Sequence, residues 1–120
     1  RVIFSEMIGD KNLNKLIVEN IKRNTRKDSS EIIYIKINSS YSKDILAKNT
    51  AGSITDYQAK VMATFQIKKN KNFEELIINE KFNYQKITDG YKERSYEQTI
   101  KKNLASSISQ KLIIRLSIME

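Results

Sequence analysis

The sequence predicts an α+β domain built as a two-layer sandwich, with two helices on one face of a four-stranded, mixed but mostly antiparallel sheet. Three observations support this prediction: a strictly alternating stretch from Tyr57 to Ile67, strand-like segments on both sides of it, and an amphipathic helix near each end of the chain. The predicted order is β-α-β-β-β-α. A length of 120 residues suits one domain with a single core, so we assign residues 1–120 to one domain.

The first two predicted elements are a short strand and a helix. An apolar run indicates a strand from Arg1 to Phe4. Asp10 is suited to be the N-cap of a helix from Lys11 to Arg26, because its carboxylate would accept the unpaired N–H groups of the first turn. The apolar residues of this helix fall on one face and predict its contact with the sheet: Leu13, Leu16, Ile17 and Ile21.

Two strands joined by a turn are predicted in the middle of the chain. The first begins at Glu31, alternates Ile33, Ile35 and Ile37 with Ile32 and Tyr34, and continues towards Leu46 with more polar residues. A turn containing Gly52 follows. The second strand places its aromatic and aliphatic residues on the core face: Tyr57, Ala59, Val61, Ala63, Phe65 and Ile67.

The last strand and the last helix complete the predicted core. A polar hairpin loop from Lys68 to Asn72 leads to a strand from Phe73 to Ile87, with Leu76, Ile78, Phe82 and Tyr84 on one face. Ser95 and Gln98 fit a capping box at the start of the helix. Apolar residues then recur at every fourth position and predict a core-facing stripe: Tyr96, Ile100, Leu104, Ile108, Leu112 and Leu116.

Composition limits the classes of function. The chain has no histidine and no cysteine, so the commonest general base and the thiolate ligands of metal sites are missing. No pair of carboxylates, lysines or tyrosines stands out as catalytic. We therefore expect a protein that uses no metal or cofactor. The net charge of +8 fits either a lysine-rich solvated surface or a polyanionic partner, such as nucleic acid, anionic lipid or lipopolysaccharide.

Several motifs in order resemble the LptE family, the lipopolysaccharide-assembly lipoproteins of the Gram-negative outer membrane. They are the helix segment N-K-L-I-V-E-N-I-K-R, the strand I-Y-I-K-I-N, the turn L-A-K-N-T-A-G-S-I-T-D-Y-Q and the helix end Q-K-L-I-I-R-L. The resemblance covers nearly the whole chain and implies two helices on a four-stranded sheet. It also implies that the protein is not an enzyme but a plug inside an LptD-type β-barrel that helps to deliver lipopolysaccharide. The implied location is the periplasmic side of the outer membrane, with a lipid anchor on a cysteine upstream of Arg1.

The same resemblance implies where lipopolysaccharide is contacted. It matches one basic position to Lys48, in the turn before the central strand, and another to Lys92, between the last strand and the last helix, with Arg94 beside it. In an antiparallel meander these segments share one end of the sheet, where Lys43 and Lys86 should join them. Lysine and arginine suit the phosphates of lipid A. We expect Lys48 and Lys92 to lie in loops.

Three alternatives stay open at this point. The opposite end of the sheet is also basic, with Arg26, Lys27, Lys68, Lys69 and Lys71, so charge alone does not choose the binding end. A double-stranded RNA-binding module has an α-β-β-β-α order and a lysine cluster that Lys101 and Lys102 resemble, although the strands here are long for that class. The third alternative is a basic periplasmic or membrane-surface adaptor without a fixed ligand.

Overall fold

The chain folds in the predicted order. The computed structural model describes residues 1–25 and 30–119, and the connection at Arg26, Lys27, Asp28 and Ser29 lies outside the described residues. Six elements are present in the described parts: β1 (Val2–Gly9), α1 (Lys11–Arg23), β2 (Ile33–Lys48), β3 (Ile54–Lys69), β4 (Asn72–Gln85) and α2 (Gly90–Ile118).

The four strands form one sheet in the spatial order β1-β2-β3-β4. β1 runs parallel to β2, whereas β2, β3 and β4 form an antiparallel meander. This confirms the predicted mixed sheet, in which only the pair that flanks α1 is parallel. Such a parallel pair needs a crossover connection, which α1 provides.

The core lies between the helices and one face of the sheet. β3 contributes its alternating residues Ala59, Val61, Ala63, Phe65 and Ile67, all of them buried. α1 packs on β1 and β2, α2 packs on β3 and β4, and the two helices contact each other. Both helices therefore cover the same sheet face. The predicted core residues are confirmed as members of one cluster: Val61, Ala63, Phe65, Ile78, Leu104, Ile108 and Leu112.

Several element boundaries differ from the sequence predictions. β1 continues beyond Phe4 to Gly9, through a bulge between Phe4 and Glu6 that interrupts the apolar alternation. The hairpin loop shrinks to Asn70 and Lys71, because Lys69 pairs with Asn72 and extends both strands. α1 ends at Arg23 within the described residues.

The capping box predicted at Ser95 is wrong. α2 begins at Gly90, and Asp89 is its N-cap, with its carboxylate accepting the N–H groups of Tyr91 and Lys92 at 3.0 Å each. Ser95 consequently lies inside the helix. The predicted apolar stripe of α2 is confirmed from Ile100 to Leu116, where its residues are buried. Tyr96, at the predicted start of the stripe, is exposed, and so is Phe82 on β4.

Candidate ligand-binding site

One end of the sheet collects four of the five predicted site residues. β2 ends at Lys48, which pairs with Ile54 at the start of β3. Lys86 follows β4, and its N–H donates to the carbonyl of Thr55 at 2.8 Å. Lys92 and Arg94 lie in the first turns of α2. We call Lys48, Lys86, Lys92 and Arg94 the cationic end.

The expected loop positions need correction. Lys48 is the last residue of β2 and Lys92 is in the first turn of α2, so both are attached to regular elements. The turn after Lys48 is held by Asn49, whose amide oxygen accepts the N–H groups of Ala51 and Ser53 at 3.0 Å. The start of α2 is held by Asp89. Both cations therefore project from anchored backbone.

The four side chains of the cationic end are exposed. Across residues 1–25 and 30–119, none of the four forms an ion pair with a carboxylate. Their charges are thus available to an anion from solution. An exposed ammonium or guanidinium pays little desolvation on binding a phosphate, and arginine can bind two phosphate oxygens at once.

Lys43, the fifth predicted residue, is engaged elsewhere. Its ammonium lies 2.8 Å from Glu93 and 3.4 Å from Glu97, both on α2, and 4.2 Å from the ring centre of Tyr57. Burial alone would lower the pKa of Lys43, but the two carboxylates outweigh it and hold the pKa above its usual range. Lys43 therefore fastens α2 to β2 and does not present a free charge.

The contacts of Lys43 belong to a polar network that sequence reasoning missed. The Tyr41 hydroxyl donates to Glu97 at 2.7 Å, and burial together with that carboxylate raises the pKa of Tyr41. Tyr84 packs against the rings of Tyr57 and Tyr96. Its hydroxyl is buried, and burial raises its pKa, while the ammonium of Lys43 opposes that shift.

Only part of this network left a signal in the sequence. Glu93 and Glu97 are four residues apart, which places them on one face of a helix that begins before Ser95. Their partners lie about fifty residues away on β2. Strand register alone brings Lys43 and Tyr41 beneath that helix face, and register across a sheet is not visible in local spacing.

Lys101, which suggested an RNA-binding cluster, has a structural role. Its ammonium is 3.1 Å from both carboxylate oxygens of Asp10 and 4.7 Å from the ring centre of Tyr41. The side chain is mostly buried between α1, α2 and β2. A lysine fixed in this way does not project towards an RNA backbone.

The opposite end of the sheet is also basic, but its lysines differ in their contacts. Lys69 donates to the Met119 carbonyl at 2.8 Å and lies 3.7 Å from Glu31. Lys68 lies over the ring of Phe73 at 5.3 Å, and Lys71 is exposed in the turn. We call Lys68, Lys69 and Lys71 the hairpin end. The predicted contribution of Arg26 and Lys27 lies outside the described residues.

Two other features bear on possible sites: the apolar length of the helices and the grouping of carboxylates. Neither α1 nor α2, the helices in the described residues, is long and apolar enough to span a bilayer. Among residues 1–25 and 30–119, no cluster of carboxylates is arranged to hold a metal ion.

The fold is similar to solved structures of lipoproteins. Rare lipoprotein B from Shewanella oneidensis superposes with a TM-score of 0.71 at 12% identity, covering 94% of each chain. A minor lipoprotein from Acinetobacter baumannii gives 0.61 at 14% identity, covering 95% of this chain and 93% of its own. Lipoprotein B from Nitrosomonas europaea gives 0.57 at 14% identity, covering 92% and 81%.

These likenesses establish a shared fold over almost the whole chain. At 12–14% identity they carry no residue-level assignment. No protein-family model matches the sequence, and no curated protein matches it.

Proposed function

We propose that this chain is the folded domain of an outer-membrane lipoprotein of the LptE type. In this proposal it binds lipopolysaccharide, supports an LptD-type β-barrel during lipopolysaccharide transport, and catalyses no reaction. The lipoprotein folds that match nearly all of the chain support the class. The resemblance of its strand, turn and helix motifs to the LptE family supports the specific role.

The observation that carries the ligand assignment is the cationic end. Four exposed cations share one end of the sheet, and none has an ion pair among the described residues. Lipid A presents phosphates on a sugar backbone, so it requires several cations within reach of one another. Lys43 is withdrawn from the proposed contact set, because Glu93 and Glu97 neutralise it.

A pair of charge reversals tests the ligand assignment. Lys48→Glu with Lys92→Glu should weaken lipopolysaccharide binding by on the order of tenfold, since each exposed contact contributes about 1 kcal/mol or less. Lys68→Glu with Lys71→Glu changes the net charge equally at the hairpin end and serves as the control. Binding is measured by fluorescence anisotropy with labelled lipopolysaccharide, and folding by circular dichroism.

The control distinguishes a local binding site at the cationic end from a general effect of the protein's net charge on binding. If the Lys68 and Lys71 pair loses binding while the Lys48 and Lys92 pair keeps it, the ligand site is at the hairpin end. If neither pair affects binding, lipopolysaccharide is not held by these charges. A salt-dependent shift with duplex RNA, without binding of lipopolysaccharide, would replace the proposal by the RNA-binding alternative.

The proposed barrel partner and anchor have their own tests. The protein should co-purify from its native membrane in a one-to-one complex with an outer-membrane β-barrel, whose lumen is polar and suits the polar ends of this domain. Mass spectrometry of that material should find a lipidated cysteine upstream of Arg1. Recovery with ribosomes or RNA, and never with a barrel, would contradict the proposal.

A further inference from the structure

The two edge strands of the sheet differ in how they are protected. Edge strands are usually shortened, bulged, charged or interrupted by proline, because their unpaired N–H and C=O groups attract other strands. β1 has eight residues and a bulge after Phe4. β4 has fourteen residues, no proline, and an unbroken register with β3 from Asn72 to Gln85. β4 therefore offers a long, regular template for another strand.

Two opposite charges lie on the face of β4 that points away from the helices. Glu75 is opposite Gln66, and Lys81 is opposite Lys60, whose own carboxylate partner is Asp44 at 3.1 Å. Within residues 1–25 and 30–119, neither Glu75 nor Lys81 has an ion-pair partner. A lysine that faced the same lysine of a second β4 strand would be repelled. A glutamate and a lysine six positions apart can instead each face the oppositely charged residue of a second, antiparallel β4 strand.

We propose that the free domain, when it is not in the one-to-one complex with a barrel, pairs its β4 edge antiparallel with the β4 edge of a second copy of this chain, about a two-fold axis at Ile78. In such a symmetric pair, a residue that lies a given number of positions before Ile78 is opposite the residue that lies the same number of positions after Ile78 in the second copy. Glu75 then faces Lys81 of the second copy, and Lys81 faces its Glu75. The two four-stranded sheets become one continuous sheet of eight strands.

Neighbouring registers lack this complementarity. A shift of the axis by one residue to Ile77 would oppose Glu74 and Glu80, and a shift to Asn79 would leave Glu75 facing Asn83 and Lys81 facing Ile77. An axis at Glu80 would bring the two copies of that carboxylate together. Like charges directly opposite are destabilising, so the Ile78 register is selected.

The helix layer accommodates the same arrangement. α2 packs on both β3 and β4, so it lies over the outer half of the sheet. With strands about 4.8 Å apart, the two copies of α2 would be about 10 Å apart, a normal packing distance for helices. On its β4 side, α2 uses Lys111 and Arg115 to bind Glu80 and Glu74. Ile114 and Ile118 lie on that side at helical spacing and are exposed.

Analytical ultracentrifugation of the charge variants tests this dimer. The wild-type chain should sediment as a concentration-dependent dimer, and either Lys81→Glu or Glu75→Lys should make it a monomer. An equimolar mixture of the two monomeric variants should form a heterodimer, because every Glu–Lys contact is then restored. The double variant should likewise recover the homodimer.

Matched controls separate the interface from net charge. Lys15→Glu and Glu19→Lys make the same charge changes on the exposed surface of α1 and should leave the dimer intact. Circular dichroism confirms that each variant is folded. A wild-type chain that is monomeric at every concentration accessible to sedimentation overturns the proposal, as does a dimer that survives both single reversals.

Discussion

Gly9 connects β1 to the cap of α1 in a space that excludes a side chain. Its φ of +100° is in the region that favours glycine, and a Cβ at this position would lie 1.9 Å from the Ser39 carbonyl oxygen. The neighbouring Asp10 N–H donates to that same carbonyl at 3.0 Å. The close approach lets the chain leave the sheet and begin α1 within one residue.

Gly9→Ala should therefore destabilise the protein more than Gly52→Ala. Both glycines have positive φ, so each substitution incurs a backbone cost of about 1–2 kcal/mol. Gly52 has open space around it, whereas at Gly9 the backbone of Ser39 must also move. Urea denaturation measures both changes, and equal free energies of unfolding for the two variants would contradict the steric argument.

Asp10 combines a helix cap with an ion pair. Burial opposes ionisation of this carboxyl, but the Leu13 N–H and Lys101 outweigh it, so its pKa lies below the ordinary value. A lowered pKa in the folded state means that the charge stabilises the fold above about pH 4, the range of an unfolded aspartate. That stabilisation is lost as the pH falls through the folded-state pKa.

Asp10→Asn isolates this charge, because asparagine caps helices about as well as aspartate. The variant should be less stable than the wild type at neutral pH, and the difference should shrink towards zero in strong acid. Denaturant melts at pH 7 and pH 2 provide the measurement. A difference that stays constant between these pH values would show that the carboxylate charge contributes nothing.

The strands could be predicted because their alternation reflects burial directly. In β3, Phe65 is fully buried and Met62, which points to the other face, is 47% exposed. Phe65→Ala should cost about 3–5 kcal/mol, whereas Met62→Ala should cost well below ~1 kcal/mol. Denaturant melts of both variants check the assignment of faces, and a cost below ~1 kcal/mol for Phe65→Ala would contradict it.

The start of α2 could not be predicted from its apolar stripe. Its first turns extend beyond the apolar core, and the contacts of Glu93 and Glu97 with β2 hold them in place. Tyr91 and Tyr96 are exposed, so this segment has little apolar periodicity to detect. The placement of Lys48, Lys86, Lys92 and Arg94 at one end of the sheet could be predicted, since a meander brings strand ends together whatever their side chains contact. The contacts of Lys43 with α2 could not be predicted in this way.

Asp89→Ala and Ser95→Ala distinguish the observed cap from the predicted one. Loss of the Asp89 carboxylate leaves two N–H groups of the first turn unpaired and should cost about 0.5–2 kcal/mol. Ser95→Ala should be neutral or slightly stabilising, because alanine is the better helix former in a helix interior. Thermal unfolding followed by circular dichroism compares them, and the reverse order would restore the capping box.

The whole molecule is elongated. Its extents are 59 × 23 × 22 Å, and its Cα radius of gyration of 16.9 Å exceeds the roughly 13–14 Å of a compact chain this long. The long strands are the cause, because sixteen residues in β2 or β3 span about 53 Å. The cationic end and the hairpin end consequently lie at opposite extremes of the longest dimension.

This separation predicts how ionic strength changes the selectivity between the two ends. The screening length is about 8 Å at physiological salt and about 30 Å at 0.01 M. At physiological salt, the charge reversals at Lys48 and Lys92 should weaken lipopolysaccharide binding, while those at Lys68 and Lys71 should have no effect. At 0.01 M the second pair should still weaken binding far less than the first, because the two ends lie further apart than even the screening length of about 30 Å. Equal weakening by both pairs at physiological salt would mean that the ligand responds to net charge, without a local site at the cationic end.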